Sequence, residues 1–405
     1  MPDLNQYSAG GGLLLSYEFW VAFVGLLVLI GSVNRMSASI RHWLFVLVNG
    51  AFLFYFTGIG IGHLVGLFGS LSILYLAGKR IAANPKNGRT VFLVSLGISV
   101  GLWAIGKGAA GVGNQKNPLR WLFFVGVSFL VVKVWSFLKD VRDRRIIDLS
   151  FAGFLNYCMY FPCFISGPMH YYGEFSDAFE RRLATGIIDV VHHMYRILYG
   201  MMKVRVLAVA LRPYSLVILQ DVSLRDTSAP ELLGRAFVYS AVLYLDFSGY
   251  CDIAIGASRL LGVSVPENFI LPYLATNIRD FWQRWHMTFT RFVTQYVFIP
   301  FVRTCQVSLA VKATPILGVI AYLVTFAFVG FWHGAGSNFL VWGIWHGTGM
   351  ALYDLYRRRF AKDVAWWERV SGPWTLARRA VAIGITFSFV SVGWILFVLP
   401  VGFFF

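Results

Sequence analysis

The sequence predicts an all-α polytopic membrane protein with about ten or eleven transmembrane helices, and three observations support this fold class. Hydrophobic residues make up 58% of the 405-residue chain and charged residues only 13%, against about 25% charged in soluble domains. Uncharged runs long enough to cross a bilayer recur, and basic residues cluster between them. We therefore predict one membrane domain over residues 1–405.

The long uncharged runs define most of the predicted passages. They cover residues 43–78, 149–173, 315–353 and 380–405. A hydrocarbon core of about 30 Å takes roughly 20 helical residues, so the first and third runs can each hold two passages. Shorter hydrophobic stretches at 16–33 and 91–106 add further passages, and residues 1–15 are predicted to form an external tail.

The net charge of +16 indicates membrane topology. The basic residues form short clusters between hydrophobic runs, and no basic arm or face suited to nucleic acid is present in the sequence. Cytoplasmic loops carry an excess of lysine and arginine. The clusters at 35–41, 79–89 and 139–145 therefore predict three cytoplasmic loops and an external N-terminus.

Glycine interrupts two of the uncharged runs, at residues 58–69 and 334–349. Glycine lets helices approach closely and lets the chain turn at membrane depth. We therefore expect short, broken or re-entrant helices around a cavity instead of a regular bundle. The four cysteines lie in apolar stretches and are predicted to be packing residues. No histidine or cysteine spacing is typical of a metal site, and none is predicted.

Ionisable residues mix with aromatic ones from Arg235 onward, and we expect the catalytic core at 235–353. Within it, NIRDFWQRWHMTFTRFVTQYVFIP at 277–300 fits one amphipathic helix. On that helix His286 shares a face with Trp282, and Asp280 precedes Arg284 by one turn, the order that favours an ion pair. A histidine with aromatic neighbours is either a packed residue or a chemical group, and both interpretations stay open here.

Two W-H-G triplets, at His333 and His346, lie in the uncharged run 315–353. The glycines, Ser337 and Asn338 that follow His333 predict that a helix ends or re-enters there, which lets its imidazole project into a cavity. A desolvated imidazole tends to be neutral at pH 7 and can take a proton from a hydroxyl that attacks an acyl carbon. His333 is therefore a candidate general base, whereas helix packing is favoured for His346.

Together with LDFSGYCDIAIGASRLLGVSVPENF at 245–269, these two stretches resemble the bacterial membrane-bound O-acyltransferase family. The resemblance is closest to the alginate and peptidoglycan O-acetyltransferase branch and more distant to the teichoic-acid D-alanyltransferases. Weaker similarity extends through VGVSFLVVKVWSFLKDVRD at 125–143 and FPCFISGPMHYYGEF at 161–175. It implies a many-passage helical fold around a central funnel or tunnel.

Carried over residue by residue, the resemblance implies that His333 is the essential histidine, deep in the funnel. His286 is then the second family histidine, on the cytoplasmic side. Motif positions expected to support the cavity lining are Asp246, Asp252, Asn268 and Arg284. Residues beside the histidines that we predict to bind substrate are Trp282, Arg284, Trp285, Trp332 and Asn338.

The implied activity is transfer of an acyl group, in the first instance acetyl, to a hydroxyl acceptor for cell-surface polysaccharide modification. The donor is a cytoplasmic thioester, acetyl-CoA or an acyl carrier protein, used as co-substrate with no bound cofactor. An exported transferase or the polysaccharide itself is the expected partner, at the bacterial inner membrane. D-alanyl transfer to an envelope polymer, a proton-coupled transporter or flippase, and a membrane scaffold stay open as alternatives.

Overall fold

The computed structural model describes residues 16–33, 37–56, 60–111, 126–181, 186–220, 227–308, 312, 314–360 and 374–399. Every regular element in these ranges is a helix, which confirms the predicted all-α class. The predicted external tail at 1–15 lies outside the described residues.

Sixteen α-helices are used in the description below. Those in the first part of the chain are α1 (Tyr17–Val33), α2 (Ala38–Phe56), α3 (Ile61–Ala83), α4 (Pro85–Gly111), α5 (Val127–Arg142), α6 (Phe151–Met159), α7 (Tyr172–Arg181) and α8 (Ile187–Met202). The later ones are α9 (Ala208–Leu211), α10 (Ala229–Leu260), α11 (Ile278–Arg284), α12 (Met287–Val293), α13 (Ile299–Val307), α14 (Pro315–His333), α15 (Ser337–Arg359) and α16 (Trp374–Val398).

Five helical segments among the described residues are long and apolar enough to cross a membrane. They are Ala38–Phe56, Ile61–Ala83, Asn87–Lys107, Pro315–His333 and Trp374–Val398. Most of their residues fall in the uncharged runs of the sequence. A helix that crosses the hydrocarbon core exposes its side chains to lipid, so it is built mainly from apolar residues. The predicted class of polytopic membrane protein is thus confirmed. The count of ten or eleven passages stays a prediction.

The described helices pack into two compact units. The first comprises the chain up to Val204 together with Phe247–Pro266, and the second comprises Arg205–Asp246 together with the chain from Glu267. Helix α10 contributes residues to both. The second unit contains most of the stretch that we expected to be catalytic, and the single membrane domain over 1–405 stays a prediction.

Two groups of polar side chains in the first unit are paired across helices. Asn49 Nδ2 donates to Asn156 Oδ1 at 3.1 Å between α2 and α6. Asp252, a motif carboxylate, accepts from Arg196 Nε at 3.0 Å and from Lys203 Nζ at 2.7 Å. Such pairing offsets the cost of removing charge from water. Asp252 thus joins α10 to the end of α8, in keeping with the structural role expected of it.

In the second unit, α14 and α15 form a tight helical hairpin. A Cβ atom added to Gly330 would collide with the carbonyl oxygen of Phe339, and one added to Gly343 would collide with the carbonyl oxygen of Phe326. The absence of side chains at these glycines is what lets the two backbones touch. The turn of this hairpin follows His333 directly, so close packing fixes the position of that residue.

Candidate active site

The stretch at 277–300 is not the single helix that its pattern predicts. Helix α11 ends at Arg284, and His286 adopts a left-handed backbone with φ 45° and ψ 49° before α12 begins. The prediction was wrong because the backbone N–H of Met287 donates to the carbonyl of Asn268 at 3.0 Å. A left-handed non-glycine residue costs about 1–3 kcal/mol, so its surroundings must hold it in place.

Three of the predicted substrate-binding residues lie on α11 or directly after it. Arg284 forms the predicted ion pair with Asp280, with 2.6 Å between Nε and Oδ1. Trp282 and Trp285 are buried, at 5% and 4% exposure. The ring of Trp282 meets the ring of His346 edge-on at 5.3 Å. The indoles of Trp282 and Trp285 therefore pack among other aromatic rings. The guanidinium of Arg284 is paired with the carboxylate of Asp280.

His286 is buried and hydrogen-bonded through its Nδ1 atom. That nitrogen lies 3.1 Å from Asn268 Oδ1, and the same oxygen accepts from the backbone N–H and the hydroxyl of Thr288 at 3.2 and 2.8 Å. His286 lies outside the candidate spans, and burial lowers its pKa to about 3. The imidazole is accordingly neutral throughout the physiological pH range.

His333 is the last residue of α14, which confirms the helix end predicted from the residues after it. Gly334 has an extended backbone with φ −162° and ψ 159°, and a Cβ atom there would collide with the ring of Phe339. The next helix begins only at Ser337. His333 keeps part of its surface exposed, whereas His286 is buried.

Both predicted catalytic histidines flank the same pair of stacked rings. Phe289 and Trp332 stack with centroids 4.3 Å apart. The ring of His286 lies 5.1 Å from Phe289, and the ring of His333 lies 4.8 Å from Trp332 and 6.4 Å from Phe289. Because these residues all belong to the second unit, the structure brings together two histidines that the sequence keeps far apart.

Asn338, the remaining predicted substrate-binding residue, joins two helices. Its Nδ2 atom donates to the carbonyl oxygen of Phe397 at 2.7 Å, so the first turn of α15 is tied to the end of α16. The ring of Phe397 in turn meets the ring of His333 edge-on at 5.3 Å. The described contact of Asn338 thus supports the wall beside His333.

The third histidine of the second unit, His346, is wholly buried in α15. Neither ring nitrogen has a hydrogen-bond partner within the described part of the chain. Its ring lies 4.9 Å from that of Trp342, and the ring of Trp342 also lies 5.1 Å from that of His333. The second W-H-G triplet drew attention to this position in the sequence, with packing as the favoured role.

Metal ligands are not grouped in the parts of the chain that the structure describes: no three His, Cys, Asp or Glu side chains there are placed to hold an ion. Three of the four cysteines are buried free thiols, as expected of packing residues, and Cys305 is partly exposed.

Two histidines at helix breaks beside one aromatic pair form a site suited to proton transfer. The chain belongs to the membrane-bound O-acyltransferase family, whose model matches residues 102–392. This match confirms the family and the enzyme class predicted from the motifs: the protein is an O-acyltransferase of the membrane.

Relatives come from both branches that the motifs resemble. The chain is 29% identical to the teichoic acid D-alanyltransferase of Bacillus subtilis, with 69% of this chain and 70% of that protein covered. It is 30% identical to the peptidoglycan O-acetyltransferase of Helicobacter pylori, covering 61% and 44%. It is 29% identical to the probable alginate O-acetylase AlgI of Azotobacter vinelandii, covering 82% and 65%. Such similar identities do not separate the branches.

Proposed function

We propose that this protein transfers an acyl group from a thioester to a hydroxyl of a cell-envelope polymer, with His333 as general base or proton relay. The observation that carries the proposal is the position of His333 at a helix end. Of the three histidines in the second unit, it alone keeps an exposed surface, while His286 and His346 are buried. A general base must come within hydrogen-bond reach of the proton that it removes.

The reaction needs a base that takes the proton of the acceptor hydroxyl and then gives it to the departing thiolate. His333 takes the proton of the acceptor hydroxyl while the hydroxyl oxygen bonds to the thioester carbon. The tetrahedral intermediate then collapses, the carbon–sulfur bond breaks, and the proton passes to the departing thiolate. The products are an ester and a free thiol. General-base catalysis of this kind contributes about 10²- to 10⁴-fold to a rate.

Two acyl groups fit this chemistry. Acetyl from coenzyme A or from a carrier protein is the first choice, since the motifs resemble those of polysaccharide O-acetyltransferases. D-alanyl from a carrier protein is the second, and a relative named teichoic acid D-alanyltransferase supports it. In either case the donor is a co-substrate on the cytoplasmic side, and the acceptor or an exported transferase is reached from the other side of the inner membrane.

The test compares His333→Ala with His192→Ala, which changes an exposed histidine of α8 in the first unit. Each variant replaces the chromosomal copy, and its membrane level is measured by quantitative blotting. Mild alkali then releases ester-linked acyl groups from the envelope polymers, and acetate and D-alanine are quantified separately.

We expect His333→Ala to remove one of these two esters and His192→Ala to remove neither. The ester that disappears identifies the acyl group. Normal amounts of both esters in a well-expressed His333→Ala strain would refute the assignment. In a transporter, purified protein in liposomes would take up substrate without cleaving radiolabelled acetyl-CoA or carrier-bound D-alanine.

A further inference from the structure

The helices α15 and α16 carry a dense group of basic residues at one end. Three arginines, 357–359, form the last turn of α15, and two more, 378 and 379, lie near the start of α16. The opposite ends of the hairpin and of α16, at 331–339 and 393–398, contain no lysine, arginine or carboxylate. Membrane proteins concentrate basic residues on the cytoplasmic side. This asymmetry is the one expected of a cytoplasmic helix end.

The register of the two helices brings the two groups of arginines together. The start of α15 is tied to the end of α16, so the helices run antiparallel. Further along, the ring of Trp345 stacks on that of Phe389 at 4.6 Å. Fourteen residues beyond Trp345 lies Arg359, and fourteen residues before Phe389 lies Thr375. The end of α15 is therefore level with the first turns of α16, which include Arg379.

The arginines lie at the boundary of the apolar stretches. The uncharged run of α16 begins at residue 380, directly after Arg379, and that of α15 ends at residue 353, six residues before Arg359. Six helical residues rise about 9 Å. Because the hydrocarbon core ends where such runs end and arginine side chains extend toward water, both guanidiniums reach the depth of phospholipid headgroups.

The charge at this end is not balanced by the protein. Asp354 is the single carboxylate within α14, α15 and α16. It accepts from Arg279 Nη2 at 2.9 Å and from Arg358 Nε at 2.7 Å, so two cations already share it. Arg359 and Arg379 are exposed and pair with no carboxylate in the described part of the chain. Their guanidiniums are open to an external anion.

Exposed aromatic side chains accompany these arginines. Trp374 is 81% exposed, Tyr356 49% and Phe360 42%, and the guanidinium carbon of Arg359 lies 5.6 Å from the centroid of the Phe360 ring. Tryptophan and tyrosine are enriched where membrane meets water. Guanidinium groups bind phosphate oxygens through two N–H bonds at once. The surface thus combines the chemistry for a phosphate with that for the apolar region beneath it.

We propose that Arg359 and Arg379, with the aromatic side chains beside them, form a binding surface for the phosphate headgroups of anionic phospholipids in the cytoplasmic leaflet. An acidic carrier protein is the other polyanion that could meet this end. The position of both arginines beside uncharged, lipid-facing runs favours the lipid. This surface does not depend on which acyl group or acceptor the enzyme uses.

The first test uses the wild-type full-length protein, purified in detergent and freed of co-purified lipid. It is titrated separately with dioleoylphosphatidylglycerol, which is anionic, and with dioleoylphosphatidylcholine, which has the same chains and no net charge. Native mass spectrometry counts the lipids that each folded protein retains. We expect tighter binding of phosphatidylglycerol and a preference that shrinks as ionic strength rises. Equal binding of the two lipids would overturn the proposal, and this outcome needs no variant to fold.

The second test compares Arg359→Gln/Arg379→Gln with Arg181→Gln/Arg235→Gln. Both pairs remove two positive charges, but Arg181 and Arg235 each have a carboxylate one turn away, at 3.7 and 2.9 Å. A basic residue near an anionic membrane surface contributes about fivefold to binding. We expect the first pair to weaken phosphatidylglycerol binding at least about tenfold, with phosphatidylcholine binding unchanged, and the second pair to stay within about threefold.

A third variant, Arg359→Lys/Arg379→Lys, keeps the charge and should retain phosphatidylglycerol binding within about threefold of wild type. Circular dichroism checks that each protein keeps its helix content. Equal losses in the two glutamine pairs would contradict the assignment. The same proteins are also tested for binding of purified phosphopantetheinylated acyl carrier protein. If the Arg359→Gln/Arg379→Gln protein lost carrier binding but kept its preference for phosphatidylglycerol, the surface would belong to a carrier protein and the lipid proposal would be wrong.

Discussion

The two W-H-G triplets of the second unit share a sequence and differ in structure. His333 ends α14 and keeps part of its surface exposed. His346 lies in the middle of α15 and is wholly buried. The same three residues thus give a reachable imidazole in one place and a packed one in the other. The triplet alone carries no function; the backbone after it decides what the histidine can do.

The glycine of each triplet explains the difference. Gly334 has an extended backbone, which ends the helix. The ring of Phe339 occupies the space that a side chain at Gly334 would need. Gly347 stays helical and packs against α14, where an added Cβ would lie 3.1 Å from Phe326 Cβ. Glycine after a histidine therefore ends a helix in one context and tightens helix packing in the other.

The difference between the triplets is tested by replacing each histidine in turn. We expect the larger loss of ester formation at His333. His333→Gln keeps a polar side chain but lacks the basic nitrogen, so ester formation should fall by about 10²- to 10⁴-fold, roughly 3–5 kcal/mol in activation free energy. The measurement is ester released per unit of membrane-inserted enzyme. If ester formation fell by less than about fivefold, the proposed catalytic role of His333 would be contradicted, and the two triplets would not differ in function.

The next largest effect, a loss of thermal stability, is expected in the α14–α15 hairpin that carries both triplets. Gly343→Ala places a methyl group against the carbonyl oxygen of Phe326, and overpacking of this kind costs about 1–3 kcal/mol. We expect a lower midpoint of thermal unfolding in detergent. The matched control is Gly318→Ala on α14, where the nearest atom to an added Cβ is Asp354 Oδ2 at 3.9 Å. Equal midpoints for the two variants would argue against the close crossing.

A smaller effect is expected where the wall beside His333 is tied to α16. Asn338→Ala removes the 2.7 Å hydrogen bond to the carbonyl of Phe397, worth about 0.5–1.5 kcal/mol of unfolding free energy. Ester formation should fall by less than tenfold, because no group of the proposed relay is lost. Ser337→Ala, at an exposed neighbouring position, serves as the control. A loss as large as that of His333→Gln would instead indicate direct substrate contact by Asn338.

The smallest effect is expected at His346. Neither nitrogen has a partner among the described residues, so His346→Leu removes no described hydrogen bond and keeps an apolar filling among aromatic rings. Unfolding free energy should change by less than about 1.5 kcal/mol, and ester formation should stay within tenfold. A loss comparable to that at His333 would show that the buried triplet also takes part in chemistry.

Local patterns in the sequence were reliable wherever the contact they predict is local. The Asp280–Arg284 pair spans one helical turn and forms as expected. The end of α14 follows from the glycines directly after His333. The break at His286 was missed because its cause is distant along the chain: the hydrogen bonds that stop the helix come from Asn268, which follows the end of α10.

The aromatic pair between the histidines was also beyond the sequence pattern. Phe289 and Trp332 lie on different helices, and nothing in the sequence around either residue indicates that their rings stack. Periodicity reports which face of one helix is apolar, but it does not report which other helix covers that face.

The sequence by itself determined that this protein is a helical membrane protein, that it belongs to an acyltransferase family, and that a helix ends at His333 in an uncharged run. Composition is sufficient for the first conclusion, the resemblance of the motifs for the second, and short-range backbone chemistry for the third. Only the tertiary structure decided that His286 lies at a left-handed break, that Asn268 holds its Nδ1, and that His286 and His333 flank one ring stack. Those features depend on contacts between helices, and the packing of the second unit creates them.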